Sequence, residues 1–154
     1  MLDRKGVGDE TARQVLESKP SQAIYSIPPT ATVYAALQLM AEKGIGALLV
    51  IEQGEIKGIL SERDYARKVI LMQRTSRETL VRDIMTNAVI YVGASQTTDE
   101  CMALMTRHRL RHLPVMEGDE LIGMLSIGDL VKDIISEQQF IIEQLEHYIT
   151  GGGR

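Results

Sequence analysis

The stretch GILSERD, residues 58–64, and the stretch GMLSIGD, residues 123–129, carry Gly, Leu, Ser and Asp at the same positions. The second stretch is offset from the first by 65 positions (123 minus 58). At this offset residues 24–70 align with residues 89–135 without a gap, and the apolar pattern agrees even where the residues differ. Such self-similarity indicates a repeated structural unit. We refer to the two copies as repeat 1 and repeat 2.

Each repeat predicts the same order of elements. A short extended stretch, AIYSI at 23–27 or AVIYV at 88–92, precedes a polar turn and a helix with apolar residues at helical spacing. Two apolar strands joined by a tight polar turn then form a hairpin. A second helix begins near Glu62 and near Ile127. The predicted fold class is α+β with α/β-type layers: two β-α-β-β-α units packed as one pseudo-symmetric module with an extended C-terminal helix.

The repeat also predicts the domain boundaries. They are repeat 1 at 12–72, repeat 2 at 81–136, a C-terminal helical extension at 137–150, and flexible ends at 1–11 and 151–154. A unit of under about 60 residues buries its core poorly alone, so we expect the copies to pack together. The last helix keeps an apolar face as far as Ile149. We expect this face to cover the module or to contact another subunit.

Composition argues against several classes of protein. The net charge is -4, and the short basic stretch at 107–112 has no interleaved aromatics, so we expect no nucleic-acid partner. No apolar run approaches the roughly 18 residues of a membrane span, and the N-terminus is polar, so we expect neither a membrane partner nor a secretion signal. The single cysteine, Cys101, cannot form an intramolecular disulfide, which favours a reducing compartment, the cytoplasm.

No constellation of residues predicts catalysis or a metal site. Cys101 lies on an apparent apolar helix face with no base argued beside it. His108 and His112 are four residues apart, but the sequence has no H-E-x-x-H, and His112 begins a predicted strand. P-loop and G-x-G-x-x-G motifs are also missing from the sequence. We therefore expect a protein that is not an enzyme.

The repeated phrase has two interpretations. Ser-x-x-Asp at a helix start is close to a capping box, in which the hydroxyl accepts from a free backbone N–H and the carboxylate lies where the helix dipole favours it. The same groups could instead bind a ligand, because the hydroxyl and helix N-terminus suit a phosphate and the carboxylate can accept from both hydroxyls of a ribose. Physical chemistry alone does not decide between a helix cap and a ribose-phosphate clamp, the name we give to the ligand-binding interpretation.

The duplicated unit, with its Ser-x-x-Asp and with Leu113, Pro114 and Val115 on the middle strand, resembles a tandem pair of CBS domains, also called a Bateman module. The resemblance covers about residues 12–136. It implies clefts between the two repeats that bind adenosine compounds. AMP is the expected ligand, with ADP, ATP, NAD or S-adenosylmethionine also possible, and no catalytic cofactor is expected.

The resemblance also implies two sets of site residues. The first set is Ser61 for phosphate, Arg63 as a further cation, Asp64 for the ribose, Met85, Ile90, Leu110, Arg111 and His112. The second set is Tyr25, Ile45, Gly46, Ala47, Ser126 and Asp129. Gly46 and Ala47 stand where the first set has Arg111 and His112, so the second site is expected to prefer a ligand with less phosphate charge.

The expected function is that of a regulatory sensor. Nucleotide binding would be transmitted to an effector protein that the sequence does not identify, and the family commonly forms homodimers. The alternative is a dimerisation scaffold whose Ser-x-x-Asp phrases are only helix caps.

Overall fold

The computed structural model describes residues 8–21 and 23–147. They divide into two compact units. The repeat-1 unit is Ile24–Val89, and the repeat-2 unit consists of the described residues up to Ala23 together with those from Ile90 onward. Residues 1–7 and 151–154, part of the predicted flexible ends, lie outside the described residues, as does Ile149 of the predicted apolar face.

The repeat-1 unit is a three-stranded sheet with helices. Its elements are β1 (Ser26–Ile27), α2 (Val33–Lys43), β2 (Ala47–Glu52), β3 (Glu55–Ser61), α3 (Glu62–Tyr65), a π-helical segment (Ala66–Ile70) and α4 (Val81–Ile84). β1 pairs in parallel with β2, and β2 pairs antiparallel with β3. The sheet order is therefore β1-β2-β3. Leu48, Val50 and Leu60 are fully buried in its core with Val33 and Ala36 of α2.

The repeat-2 unit has the same sheet. Its elements are α1 (Ala12–Ser18), β4 (Val92–Gly93), α5 (Thr98–His108), β5 (His112–Glu117), β6 (Glu120–Ser126) and α6 (Ile127–Glu146). β4 pairs in parallel with β5, and β5 pairs antiparallel with β6. α6 runs without a break from the Ser126 cap, which confirms the predicted extended C-terminal helix. The two sheets with their helices confirm the predicted α+β class.

The strands that open the repeats are shorter than predicted. In the stretch at 23–27 only Ser26–Ile27 pairs with the middle strand. In the stretch at 88–92 only Val92 does so, and the two-residue strand Val92–Gly93 extends one residue past the predicted stretch. Both predicted hairpins are present, and they share one irregularity of register, after Val50 in one and after Val115 in the other. The offset between the repeats is thus preserved down to single residue pairs.

Each compact unit includes the short helix that precedes the other repeat in the chain. α1 comes before repeat 1 yet belongs to the repeat-2 unit, where the Ala12 and Arg13 N–H groups donate to Gln96 O at 2.8 Å and to Ala94 O at 3.0 Å. α4 comes before repeat 2 and makes the corresponding bonds in the repeat-1 unit: Val81 N to Ala31 O at 2.8 Å, and Arg82 N to Pro29 O at 3.0 Å. The acceptors occupy equivalent positions of the two repeats.

The glycines of the repeated phrase lie against these short helices. A Cβ added at Gly58 would lie 2.8 Å from Met85 Sδ and 2.8 Å from the Thr86 carbonyl oxygen. A Cβ added at Gly123 would lie 2.7 Å from both Cδ atoms of Leu16. Contacts this short are sterically forbidden for a real Cβ atom. Glycine at the start of the phrase therefore allows close packing, against the residues that follow α4 in the repeat-1 unit and against the last turn of α1 in the repeat-2 unit.

Residues 8–11 are hydrogen-bonded within the repeat-2 unit. Gly8 O accepts from Asp99 N at 3.0 Å, Glu10 O accepts from Thr98 N at 2.6 Å, and Thr11 caps α1. Within the described ranges, no helix is both long enough and apolar enough to cross a membrane.

Candidate functional site

In the repeat-1 unit, Ser61 and Asp64 form a reciprocal pair at the junction of β3 and α3. Asp64 N donates to Ser61 Oγ at 3.2 Å, while Ser61 N and Ser61 Oγ donate to Asp64 Oδ2 at 3.0 and 3.1 Å. Ser61 has extended backbone dihedrals and ends β3, so its side chain faces the first free N–H groups of the helix. The pair is a capping box, as one of the two sequence interpretations predicts.

The other oxygen of Asp64 has partners of its own. Lys68 Nζ lies 3.2 Å from Asp64 Oδ1, and Thr86 Oγ1 donates to the same oxygen at 3.4 Å. Lys68 Nζ also donates to the Ile84 carbonyl oxygen at 2.9 Å. The Asp64 side chain is 14% exposed and that of Lys68 is 44% exposed. The carboxylate is therefore mostly buried and is joined through Lys68 to the end of α4.

In the repeat-2 unit, Ser126 and Asp129 form the equivalent pair at the junction of β6 and α6. Ser126 N donates to Asp129 Oδ2 at 2.8 Å, and Asp129 N donates to Ser126 Oγ at 3.1 Å. The cation here comes from the end of α1: Lys19 Nζ lies 3.0 Å from Asp129 Oδ2 and donates to Met124 O at 2.9 Å. Both repeats thus tie their aspartate, through a lysine, to a main-chain carbonyl.

The middle strand of each unit begins beside the serine of the same unit. In the repeat-1 unit Ala47 pairs with Ser61, and Glu62 N donates to Gly46 O at 3.0 Å. In the repeat-2 unit His112 pairs with Ser126, and Ile127 N donates to Arg111 O at 2.8 Å. The residues predicted to bind phosphate, Arg111 and His112, therefore lie beside Ser126 within one unit.

Burial lowers the pKa of His112, and the charges of Lys19 and Arg111 lower it further, while the carboxylate of Asp129 opposes them. A pKa below the usual 6.5 leaves the imidazole neutral at pH 7. His112 therefore supplies a hydrogen-bonding ring rather than a cation at neutral pH, and Arg111 is the charged group at this position.

The remaining predicted residues line the edges of the cores. Tyr25, Ile45 and Met85 pack against the repeat-1 core, and Lys43 Nζ lies 5.4 Å above the Tyr25 ring. Ile90 and Leu110 pack against the repeat-2 core. Arg63 lies in the first turn of α3 with an exposed side chain.

The predicted sets draw members from both units. Within the repeat-1 unit the structure groups Ser61 and Asp64 with Gly46, Ala47 and the segment around Met85. Within the repeat-2 unit it groups Ser126 and Asp129 with Arg111 and His112. The combination of residues across the repeats into complete sites stays a prediction.

Comparison with known proteins identifies the family. The CBS domain model matches residues 12–71 and again residues 81–136, most of the chain. The chain belongs to the CBS-domain family. The mitochondrial CBS domain-containing protein CBSX3 of Arabidopsis thaliana is 38% identical over 98% of this chain and 77% of its own length. The CBS domain-containing protein YhcV of Bacillus subtilis is 29% identical over 75% of this chain and 81% of its own.

Solved structures agree with this assignment. A CBS-domain protein from Burkholderia ambifaria MC40-6, proposed to act in signal transduction, is 58% identical and superposes with a TM-score of 0.81 over 83% of this CBS chain and 96% of its own. A hexameric CBS-CP12 protein from bloom-forming cyanobacteria is 28% identical, with a TM-score of 0.70 over 79% of this chain and 69% of its own.

Sequence reasoning missed three residues that contact the two carboxylates: Lys19, Lys68 and Thr86. Lys68 carried a weak signal, because it lies four residues after Asp64 and an Asp–Lys pair at that spacing meets on a helix. Lys19 carried none, since it lies 110 positions (129 minus 19) before Asp129 and reaches it only because α1 belongs to the repeat-2 unit.

Proposed function

We propose that this CBS protein is a regulatory module, not an enzyme, that binds adenine nucleotides through its two Ser-x-x-Asp phrases and transmits occupancy to a partner protein. AMP is the preferred candidate ligand, with ADP, ATP and NAD as alternatives. The observation that carries the proposal is the pair of mostly buried carboxylates, Asp64 and Asp129, at equivalent strand-to-helix junctions.

The chemistry of these carboxylates suits a ribose. An ionised carboxylate accepts hydrogen bonds only, through two oxygens with about four lone-pair sites, and vicinal hydroxyls can each donate one. Such charge-assisted bonds contribute about 1.5–3 kcal/mol each. Since the Asp64 and Asp129 side chains are only 14% and 18% exposed, competition by water at either oxygen is limited.

Charge distinguishes the two half-sites. Arg111 lies immediately before β5, and its carbonyl oxygen accepts from Ile127 N, next to Ser126 of the same unit. An arginine can bond a phosphate bidentately. Gly46 and Ala47 occupy the equivalent positions beside Ser61 and offer no cation. We therefore propose that a phosphate on the ligand favours the Asp129 half-site, which reverses the preference predicted from the sequence for the set that contains Asp129.

Titration calorimetry with AMP, ATP, NAD and S-adenosylmethionine tests the proposal. We expect at least one compound to bind with micromolar affinity, about -8 kcal/mol, and the double variant Asp64→Ala/Asp129→Ala to lose binding while remaining folded. If all four compounds fail to bind the folded wild-type protein, or if the double variant binds them as well as the wild type does, the proposal is wrong.

A second candidate function is a homo-oligomeric scaffold, and the apolar surface of α6 favours it. Ile135, Phe140, Ile142 and Leu145 of this helix are between 48% and 62% exposed. Exposed apolar patches of this kind are typical of subunit interfaces. The hexameric CBS-CP12 relative supports oligomer formation, and a homodimer is the form that we propose for this chain.

Sedimentation equilibrium tests the oligomer. We expect a dimer for the wild type and a monomer for Ile135→Glu/Ile142→Glu, because burying the introduced carboxylates in an α6 interface is unfavourable. A wild-type monomer at 100 μM, or a dimer that both substitutions leave intact, contradicts an interface on α6. As the compartment we propose the cytoplasm, because the only cysteine is unpaired and buried.

A further inference from the structure

The hydrogen-bonding capacity of Asp64 is already filled within its own unit. Oδ2 accepts from Ser61 N and Ser61 Oγ, and Oδ1 accepts from Lys68 Nζ and Thr86 Oγ1. A carboxylate offers about four lone-pair sites, two on each oxygen. A ribose hydroxyl can therefore bind Asp64 only if one of these four donors gives up its place.

Asp129 differs in one respect. Its partners, Ser126 N and Lys19 Nζ, both bond to Oδ2, and Oδ1 accepts no hydrogen bond from the described residues of the chain. Two acceptor positions on Oδ1 thus remain for a ligand. The two copies of the phrase are thus similar in sequence, but their carboxylates differ in how many hydrogen bonds Oδ1 accepts.

Resting on the function proposed above, we propose that Lys68 and Thr86 compete with ligand ribose for Asp64, so that Asp129 is the open half-site and Asp64 a half-site closed by the protein's own side chains. Of the four donors, Ser61 N and Ser61 Oγ belong to the helix cap and cannot leave without opening α3. Lys68, whose side chain is 44% exposed, and Thr86, at the long distance of 3.4 Å, are the donors that can yield.

Displacement of Lys68 has a consequence beyond the carboxylate. The same Nζ donates to the Ile84 carbonyl at the end of α4, and the chain leaves the repeat-1 unit five residues later, after Val89. When a ribose takes Oδ1, Lys68 loses the anion that orients it toward this carbonyl. Occupancy of Asp64 would in this way weaken a restraint on the segment that connects the two repeats.

Calorimetry with adenosine and with 2′,3′-dideoxyadenosine tests the competition, because neither carries a phosphate that Lys68 could attract. The titrations use the Asp129→Ala background, in which Asp64 is the remaining carboxylate. Adding Lys68→Met keeps most of the apolar stem and removes the donor. Lys68→Arg retains a donor, and Lys57→Met removes a comparable lysine whose partner, Glu55, lies on the β2–β3 hairpin.

We expect Lys68→Met to tighten adenosine binding by about two- to fivefold, because a partly exposed ion pair contributes roughly 0.5–1 kcal/mol and 1.4 kcal/mol corresponds to tenfold. Lys68→Arg and Lys57→Met should leave the affinity unchanged. The dideoxy compound, which has no hydroxyls to compete, should show no gain from Lys68→Met.

An adenosine affinity that Lys68→Met leaves unchanged or weakens overturns the competition, as does an equal gain for the dideoxy compound; in both cases the proposed nucleotide binding still stands. If neither compound binds any of these proteins, and the wild type also fails to bind AMP, ATP, NAD and S-adenosylmethionine, then the proposed nucleotide binding is wrong and the proposed competition is wrong with it.

Discussion

Substitution of Gly123 by alanine tests the packing of α1 in the repeat-2 unit. The new methyl carbon would lie 2.7 Å from both Cδ atoms of Leu16, which is 5% exposed. Carbon atoms pack at about 3.5–4.0 Å, so Leu16 must move by roughly 1 Å. Overpacking of this kind costs about 1–3 kcal/mol, and Gly→Ala restricts the unfolded chain to return about 0.4–1 kcal/mol. We expect a net destabilisation of about 1–2 kcal/mol.

Urea unfolding followed by circular dichroism measures this change, with the slope of the transition as a check on its cooperativity. Leu16→Ala alone should cost about 2–5 kcal/mol through the cavity it leaves. In the double variant Leu16→Ala/Gly123→Ala the methyl group added by the second substitution fills part of that cavity, so the free energy of unfolding should be no lower than that of Leu16→Ala alone. Additive losses, within about 0.5 kcal/mol, would refute the packing of Leu16 on Gly123.

Gly58→Ala provides the contrast. There the new methyl carbon meets the Thr86 carbonyl oxygen at 2.8 Å as well as Met85 Sδ, and that carbonyl is held by a bond from Ile59 N at 3.0 Å. Thr86 is fixed in an isolated antiparallel bridge with Ile59, so its carbonyl cannot rotate away as a side chain can. The cost should lie near about 3 kcal/mol, at the upper end of overpacking, and Met85→Ala should not restore the stability.

Three further predictions concern the repeat-2 unit. Asp133→Asn should flatten the pH dependence of the free energy of unfolding, because burial, Glu10 and Glu137 raise the pKa of Asp133 from its usual 3.8 to about 7. The stability that this group contributes is present at low pH and is lost as the pH rises from about 4 to 7. Urea unfolding at about pH 5 and at about pH 8 would detect the change. Thr97→Ala, which removes the cap of α5, should cost about 0.5–2 kcal/mol in the same assay, and an unchanged midpoint would contradict the cap. Cys101 should react with iodoacetamide at pH 8 only after unfolding, since burial raises its pKa to about 11 and rapid labelling of the native protein would contradict that.

The elements that local sequence controls were predicted correctly. Ser61 and Ser126 end a strand and cap a helix because a hydroxyl in extended backbone reaches the free N–H groups, and both second helices begin where this chemistry places them. The hairpins follow from two short apolar stretches on either side of a tight polar turn. The opening strands were predicted too long, because extended backbone becomes a strand only where a partner pairs with it, which here is two residues in each sheet.

The exchange of the short helices could not be predicted from the repeat. The starts of α1 and α4 differ by 69 positions (81 minus 12), whereas the repeats themselves are offset by 65. The apolar pattern of α1 does not indicate whether the helix packs in the repeat-1 unit or in the repeat-2 unit. The same limit hid Lys19: a long, flexible side chain finds its carboxylate through tertiary structure, and its distance from Asp129 in sequence carries no information.

The cap and the clamp make different predictions for one set of variants, and this comparison tests the central claim. AMP affinity by calorimetry and the free energy of unfolding are measured for Asp64→Ala, Asp129→Ala and Thr97→Ala, the last removing a capping box of the same geometry that contains neither carboxylate. If Asp64 and Asp129 bind ribose, at least one Asp→Ala variant loses about 1.5–3 kcal/mol of binding, roughly 10- to 150-fold, while Thr97→Ala retains the wild-type affinity. If all three variants lose only about 0.5–2 kcal/mol of stability and bind AMP as the wild type does, the repeated phrase is a helix cap and the account of a nucleotide sensor is wrong.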